Sequence, residues 1–453
     1  MEEPMLSQIL AIAIAVVMFI LVLWGKYPRH LVTLSAGGLM IVLVFLLSMG
    51  SPAAVWEALS VNSFLKFEFW FSHIGITEFN TGINWSTILF LSGMMIMVEE
   101  MSDAGFFDWI SLWLAQKVRF RPVPLLVCFM VLSALLSMFV DSITVILFMV
   151  VATIRLAHFL KFDPVPLVLA EIFSANLGGA ATMSGDPPNI ILGTSLGLGF
   201  WDFIQNNGVI CLAGFAVVLV YFVLVFRTKL GPGIGEAAPE LLGLNPGDAI
   251  PNREKFRESV LIFVGVILLI VTHTATGLTM PTIGVMAAAV TLACTKYPRE
   301  LLKLVDWKTI GFIIGLFLVA SGLEQTHVLD GLAHILAGLS GGDHTWMVVV
   351  LIWFTALCSA FVDNIPMATI MVPVILSLSS GLDMDLNTLA WTMSKGTDIG
   401  GIATPIGASA NVAGVTIAAR EGHAISWRRY CKYIMPAALL VLVMSMVMLL
   451  TLH

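Results

Sequence analysis

Apolar residues fall in long unbroken runs at 5–24, 31–49, 85–101, 208–226, 256–273, 281–296, 308–323 and 433–451. Each approaches the ~20 residues that a helix needs to cross a bilayer, so each predicts a spanning helix. Three further regions, 123–160, 164–200 and 345–420, are apolar but interrupted by polar, Gly or Pro residues. The stretch 228–255 is polar and holds Gly231-Pro232-Gly233, Pro239, Pro246 and Pro251, as a linker between two halves would. The acidic start Met1-Glu2-Glu3-Pro4 is unlike the basic head of a secretory signal, and the run from Met5 to Trp24 predicts an uncleaved first helix.

Composition makes the membrane reading decisive. Hydrophobic residues form 58% of the chain and charged residues only 11%, against about 25% charged in an average soluble domain. Too few charges remain to clothe a soluble fold, so the expected class is an all-α polytopic membrane protein. A net charge of −7 with no basic run excludes a nucleic-acid partner and leaves the lipid bilayer as the surroundings. The five cysteines are scattered with no C-x-x-C pair, which predicts neither a disulfide framework nor a zinc site. No cofactor is expected. With the N-terminus outside the cell membrane, all but two of the 22 Lys and Arg fall on the cytoplasmic side, the 228–255 linker included. The exceptions are Lys66, outside, and Lys395, within the membrane. Lys26-Tyr27-Pro28-Arg29 and Lys296-Tyr297-Pro298-Arg299 read as interfacial anchors.

The chain also matches itself at one offset, 307 − 85 = 222. Trp85 meets Trp307 and Gly93 meets Gly315. ALLSMFVDSIT (134–144) meets ALCSAFVDNIP (356–366) with seven identities, and NLGGAATMSGDPPN (176–189) meets DIGGIATPIGASAN (398–411) with six. An odd number of crossings separates the mates, so the repeats are inverted. The expected division is 1–84, N-terminal scaffold helices and an external segment; 85–227, repeat one; 228–255, the linker; and 256–453, further scaffold helices with repeat two. Hairpin tips are expected at 140–145 and 362–367, and unwound segments at 184–189 and 404–411.

Inverted repeats with paired broken helices mark secondary transporters that bind solute near the midplane. Lipid cannot satisfy free backbone groups, so a broken helix persists only where protein or water meets it. Val140-Asp141-Ser142-Ile143-Thr144 and Val362-Asp363-Asn364-Ile365-Pro366 place polar side chains in mid-run, as re-entrant hairpin tips would. Pro187-Pro188 excludes a helix interior, so the chain is expected to unwind there. Asp141, Asp186, Asp363 and Asp398 set four carboxylates against Lys395, and charges in such a setting are expensive and functional. Lys395 and Asp398 lie one helical turn apart and can also simply pair. Asn189 and Asn411 each close an unwound segment, and Asn176, Thr404 and Ser409 belong to the same motifs. Glu171 and Glu324 are further acids within apolar runs, but the repeat mate of Glu171 is Met393.

The pieces FVDNIPMATIMVP (361–373), SGDPPNIILG (184–193) and TPIGASANVAG (404–414) resemble the ion transporter superfamily, most of all its arsenite permease and melanosomal P protein branch. The resemblance covers about residues 85–440. In related sodium–dicarboxylate symporters a Ser-Asn-Thr element forms each tip. Carried over by position, it implies tips at Asp141-Ser142 with Thr144 and at Asp363-Asn364, and unwound segments at Gly185–Asn189 and Gly407–Asn411. It further implies sodium near Asp141 with Asn189 and near Asp363 with Asn411, an elevator motion and a homodimer. Here both tips carry Asp where the family has Ser, and an acidic centre repels a bare dicarboxylate. The expected function is secondary active transport of a small (oxy)anion or a neutral oxyacid such as arsenite, coupled to sodium or protons. A sodium/proton antiporter is the alternative, with a channel or an intramembrane aspartyl enzyme more remote. No H-E-x-x-H, G-x-S-x-G or Walker loop supports an enzyme.

Overall fold

A computed structural model describes residues 2–72, 82–230 and 245–452. Gly231-Pro232-Gly233 and Pro239 of the linker lie outside these residues. The described chain is helical throughout, with one isolated bridge, Phe71 to Leu278, and no extended strand. Among the described residues, nine helices are long and apolar enough to cross a membrane.

The scaffold begins with α1 (Glu2–Trp24) and α2 (Arg29–Leu39), whose continuation over Met40–Ser48 widens into a π-helix. A short α3 (Pro52–Leu59) leads to α4 (Trp85–Asp103). Repeat one continues with α5 (Phe106–Lys117), the hairpin α6 (Pro122–Ser137) and α7 (Ser142–Leu160), and the broken pair α8 (Val165–Gly179) and α9 (Pro187–Leu196). After α10 (Val209–Phe226) and the linker, α11 (Arg253–Thr276), α12 (Met280–Cys294) and α13 (Pro298–Leu304) complete the scaffold. Repeat two follows as α14 (Trp307–Gln325), α15 (Val328–Ser340), the hairpin α16 (His344–Val362) and α17 (Asn364–Leu382), and the broken pair α18 (Leu386–Ile402) and α19 (Ser409–Arg420). The last helix is α20 (Trp427–Leu452).

The offset of 222 maps α4 onto α14 and α7 onto α17 at both ends, since 85, 103, 142 and 160 become 307, 325, 364 and 382. The two mates run antiparallel. The start of α4 reaches α3 through Trp85 Nε1 to the Leu59 carbonyl at 2.8 Å. The end of α14 reaches the same short helix through Gln325 Nε2 to the Ala54 carbonyl at 3.3 Å. Inversion, expected from crossing parity alone, is thus visible in how the mates are anchored.

Small residues set the closest scaffold contacts. A Cβ on Gly93 of α4 would lie 1.9 Å from the Gly284 carbonyl of α12, and one on Gly315 of α14 would lie 2.4 Å from the Thr33 backbone of α2. Both crossings need glycine, because apolar side chains gain nothing from one another in lipid that close backbone packing does not supply. Each hairpin packs on its broken helix, α6 on α8 and α16 on α18, and the repeats interlock through α9 on α17 and α19 on α7.

The breaks begin earlier in the chain than the sequence suggests. In repeat one the chain unwinds over 180–186, and helix resumes at Pro187. The two prolines therefore open the second half-helix rather than interrupt it, for N–H groups in a first turn have no intrahelical partner to lose. In repeat two the break covers 403–408. The tips are narrower too: helix begins at Ser142 in one, and Asp363 alone separates α16 from α17 in the other. At the linker's far end a short turn over Pro246–Ala249 rests on Gly105, and Lys255 of α11 pairs with Glu100 at 3.4 Å and with Asp103.

Candidate functional site

Both tips are built as helix caps. Asp141 accepts the Thr144 N–H at 3.0 Å and the Thr144 hydroxyl at 2.6 Å, so its carboxylate closes the first turn of α7. Asp363 holds a left-handed backbone, φ 75°, and accepts the Ile365 N–H at 3.3 Å. Its second oxygen takes the Ser409 hydroxyl at 2.6 Å and the Arg29 guanidinium at 3.3 Å. Arg29 opens α2 in the scaffold. In sequence it reads as an interfacial anchor, and nothing in its local motif signals a partner 334 positions away.

The two tips meet at Asp186. This residue ends the unwound segment of repeat one, is only 2% exposed, and belongs to neither hairpin. Its Oδ1 accepts the Ser142 hydroxyl at 2.6 Å, and its Oδ2 accepts the Asn364 amide at 3.1 Å. Ser142 and Asn364 are repeat mates (364 − 142 = 222), so one carboxylate clasps equivalent positions of both hairpins. Its own mate is Ala408, so the clasp exists once.

The asparagines hold the breaks closed. Asn189 donates its amide to the Gly179 and Thr182 carbonyls at 3.3 and 3.1 Å; Asn411 donates to the Gly401 and Thr404 carbonyls at 2.8 Å each. These carbonyls lie where unwinding has removed their helical donors, and Asn supplies two N–H groups from one side chain. The amide oxygens reach across to the other repeat: Asn189 accepts Ser394 Oγ at 2.9 Å, and Asn411 accepts Asn176 Nδ2 at 3.0 Å. Thr404 ties the second break to its hairpin through the Ala360 carbonyl, as Thr182 ties the first through Met138. Gly185 and Gly407 pass so close to the hairpins that a Cβ would lie 2.4 Å from the Ser137 carbonyl and 2.8 Å from that of Ala360.

A second polar focus lies within α18. Lys395 is fully buried and donates to the Ala180 carbonyl at 3.0 Å and to Cys211 Sγ at 2.9 Å. One turn on, Asp398 accepts Ser394 Oγ at 3.3 Å through Oδ2, while Oδ1 is buried with no hydrogen-bond partner among the described residues. Asn207, in a π-turn preceding α10, donates to Ser394 at 2.7 Å. Glu171 is wholly buried against Thr153 at 2.5 Å.

Of the sequence-predicted residues, Asp186, Ser142 and Asn364 therefore form one cluster, Asp363 and Ser409 a second, and Asn176 with Asn411 a third. Thr144 serves Asp141 alone. No hydrogen bond among the described residues joins Asp141 to Asn189 or Asp363 to Asn411, the pairs expected to share sodium. Both asparagines are already committed to the helix breaks. Ser394, Asn207 and Tyr430, whose hydroxyl donates to the Ile402 carbonyl at 3.0 Å, are participants that the motifs do not mark.

A cavity of about 340 Å³ lies beside the scaffold at the start of α4 and the end of α9, where Asn84 Nδ2 meets Thr194 at 2.9 Å. Lys66, Glu324 and Pro373 line its walls, and Met183 of the first break reaches it. Arg29 and the Asp363 tip are near the opposite scaffold end, because α2 runs parallel to α14 and antiparallel to α4.

Comparison with known proteins agrees with this architecture. The family described as citrate transporter (CitMHS) matches residues 19–396. A 46 kDa membrane protein of Mycobacterium leprae is 32% identical over 78% of this chain and 82% of its own length. The P protein of Homo sapiens is 26% identical over 82% of this chain and 54% of its own. Among solved structures, the YdaH transporter of Alcanivorax borkumensis has a TM-score of 0.55 at 14% identity, covering 96% of this chain and 98% of that one. MtrF of Neisseria gonorrhoeae gives 0.58 at 11% identity, covering 96% and 94%. The chain belongs to the CitMHS citrate transporter family of the ion transporter superfamily, and it is a multi-pass membrane transporter rather than an enzyme.

Proposed function

We propose that this protein is a secondary active transporter of a small oxyanion, a carboxylate such as citrate or an oxyacid such as arsenite, coupled to sodium or protons. The carrying observation is the Asp186 clasp, in which the unwound segment of one repeat holds both hairpin tips at once. A solute or cation that competes for Ser142 or Asn364 changes how the tips are held together, and that is the coupling a carrier requires. Charge supports a cation partner. Arg29 balances Asp363, Lys395 lies one turn from Asp398, and among the described residues no salt bridge is seen to Asp141 or Asp186. An anion entering this centre needs accompanying positive charge.

An elevator motion fits the placement of the parts. The second tip lies against the starting end of α2, while the cavity beside α4 and α9 lies toward the other end of the scaffold. With the N-terminus outside and the 228–255 linker cytoplasmic, the cavity faces the outside of the cell membrane and the second tip sits toward the cytoplasmic end of the scaffold. A homodimer through the scaffold belongs to the same reading. The unbalanced carboxylates also favour, as second reading, sodium/proton exchange without a solute.

The test is uptake into proteoliposomes of citrate and of arsenite under imposed sodium and proton gradients. Gradient-driven accumulation of either solute, abolished by Asp186→Asn, supports the proposal. Exchange of sodium for protons with no solute movement favours the antiporter. Uptake in Asp186→Asn equal to wild type removes the clasp from the mechanism.

A further inference from the structure

Each broken helix ends on carbonyls that its own ladder leaves without donors. At the first break the Ala180 carbonyl accepts Lys395 Nζ at 3.0 Å; at the second its mate, the Ile402 carbonyl, accepts the Tyr430 hydroxyl at 3.0 Å. The positions correspond (402 − 180 = 222), but the donors do not. One is an ammonium and the other a neutral phenol, drawn from α18 and α20, and the mate of Lys395 is Phe173. A helix C-terminus carries a partial negative charge, and in transporters with broken helices such ends hold cations.

Lys395 is among the largest fully buried side chains, a costly place for a charge unless that charge is matched. Asp398 stands one turn along the same helix, with a buried Oδ1 that no donor among the described residues meets. We propose that Lys395 is a tethered cation. Its ammonium occupies, at the first broken helix, the place that a free monovalent cation takes at such a helix end, and it supplies the counter-charge of Asp398. A free coupling cation then has only the second break to serve, where the cap is uncharged. Lys395 is in this sense a positioning residue. The inference rests on reading the broken helices as the transporting centre, but its test does not depend on transport.

The test is thermal unfolding of the detergent-purified full chain in chlorides of choline, sodium, ammonium and methylammonium at equal ionic strength. Wild type should unfold at one temperature in choline and methylammonium. Lys395→Ala should unfold roughly 5 °C or more lower in choline, the scale set by an uncompensated buried charge, and recover selectively in ammonium or methylammonium. The double variant Lys395→Met with Asp398→Asn should regain the wild-type midpoint and ignore the cation. A Lys395→Ala midpoint equal to wild type, or a drop that no small cation reverses relative to choline, overturns the proposal. Where Lys395→Ala yields no folded protein, the double variant decides: folded protein supports the charge pairing, and unfolded protein overturns it. A failed uptake assay would count against the transport reading alone.

Discussion

Replacing Asp186 tests the clasp with the least change of shape. Asp186→Asn keeps the volume and can keep both bonds: the new Oδ1 accepts from Asn364, and the new amide donates to Ser142, whose hydroxyl then accepts. The charge is lost. Hydrogen bonds to a charged group contribute about 1.5–3 kcal/mol, against about 0.5–1.5 for neutral ones. Two bonds weakened by about 1 kcal/mol each loosen the tip-to-tip connection by about 2 kcal/mol, or roughly thirtyfold in the equilibrium between joined and parted tips. Folding need not suffer, since a buried carboxylate without a cation is itself costly. Asp186→Ala is different. It leaves the Ser142 hydroxyl and the Asn364 amide unpaired at positions 2% and 4% exposed, at about 1–3 kcal/mol each. The expected pattern is Asn folded but inactive and Ala destabilised, measured by thermal unfolding beside gradient-driven uptake. An Ala variant as stable as wild type, or an Asn variant with wild-type uptake, would refute the reasoning.

Asn189→Ala and Asn411→Ala should each destabilise the protein by about 1–3 kcal/mol, because each strands two carbonyls of a break; unchanged denaturation midpoints in both would show that other donors fill the gap. Arg29→Gln should leave folding intact and alter the rate of solute exchange, since Arg29 is part-exposed and joins the scaffold to the second tip; identical exchange kinetics would make the pair incidental. Gly185→Val should prevent folding, as its Cβ would lie 2.4 Å from the Ser137 carbonyl, and a normally folded variant would show that the break can shift. Cysteines at Ser51 and Ala238 should label from outside and inside respectively, and equal labelling from outside would reverse or discard the topology.

The spans and the repeat were legible because lipid enforces them. A run of apolar residues has few fates in a membrane, and a backbone used twice shows itself as a constant offset. The breaks were legible in kind but displaced in position. Proline forbids a helix interior, yet it favours a helix start, and the sequence alone did not say which applied at Pro187. The Asp186 clasp and the Arg29 contact were invisible, because each depends on side chains meeting across 44, 178 or 334 positions. Local pattern carries no record of such distances. At Asp141 the sequence shows an acid in an apolar run, but not that both its oxygens accept hydrogen bonds from Thr144 in the helix that follows.

Comparison of the repeat mates separates parts that do one job twice from parts that occur once. Asn189 and Asn411, Gly185 and Gly407, and Thr182 and Thr404 are identical pairs, and in the structure each pair does one job twice: it closes a break or lets it approach a hairpin. Asp141 and Asp363 are likewise identical, and both cap a tip. Where the mates differ, the contacts occur once. Asp186 against Ala408 makes the clasp; Ser409 against Pro187 reaches Asp363 in the company of Arg29; Lys395 against Phe173 places one charge at one helix end. Inverted repeats give a carrier two equivalent ways of facing the membrane, but a small solute occupies one site and has no twofold axis of its own. The proposed transport therefore predicts that symmetric residues serve the alternating framework and asymmetric ones recognition. On that division Asp141, alike in both repeats, should tolerate Asp141→Asn with near-normal solute selectivity, while Asp186, Lys395 and Ser409 should not tolerate theirs.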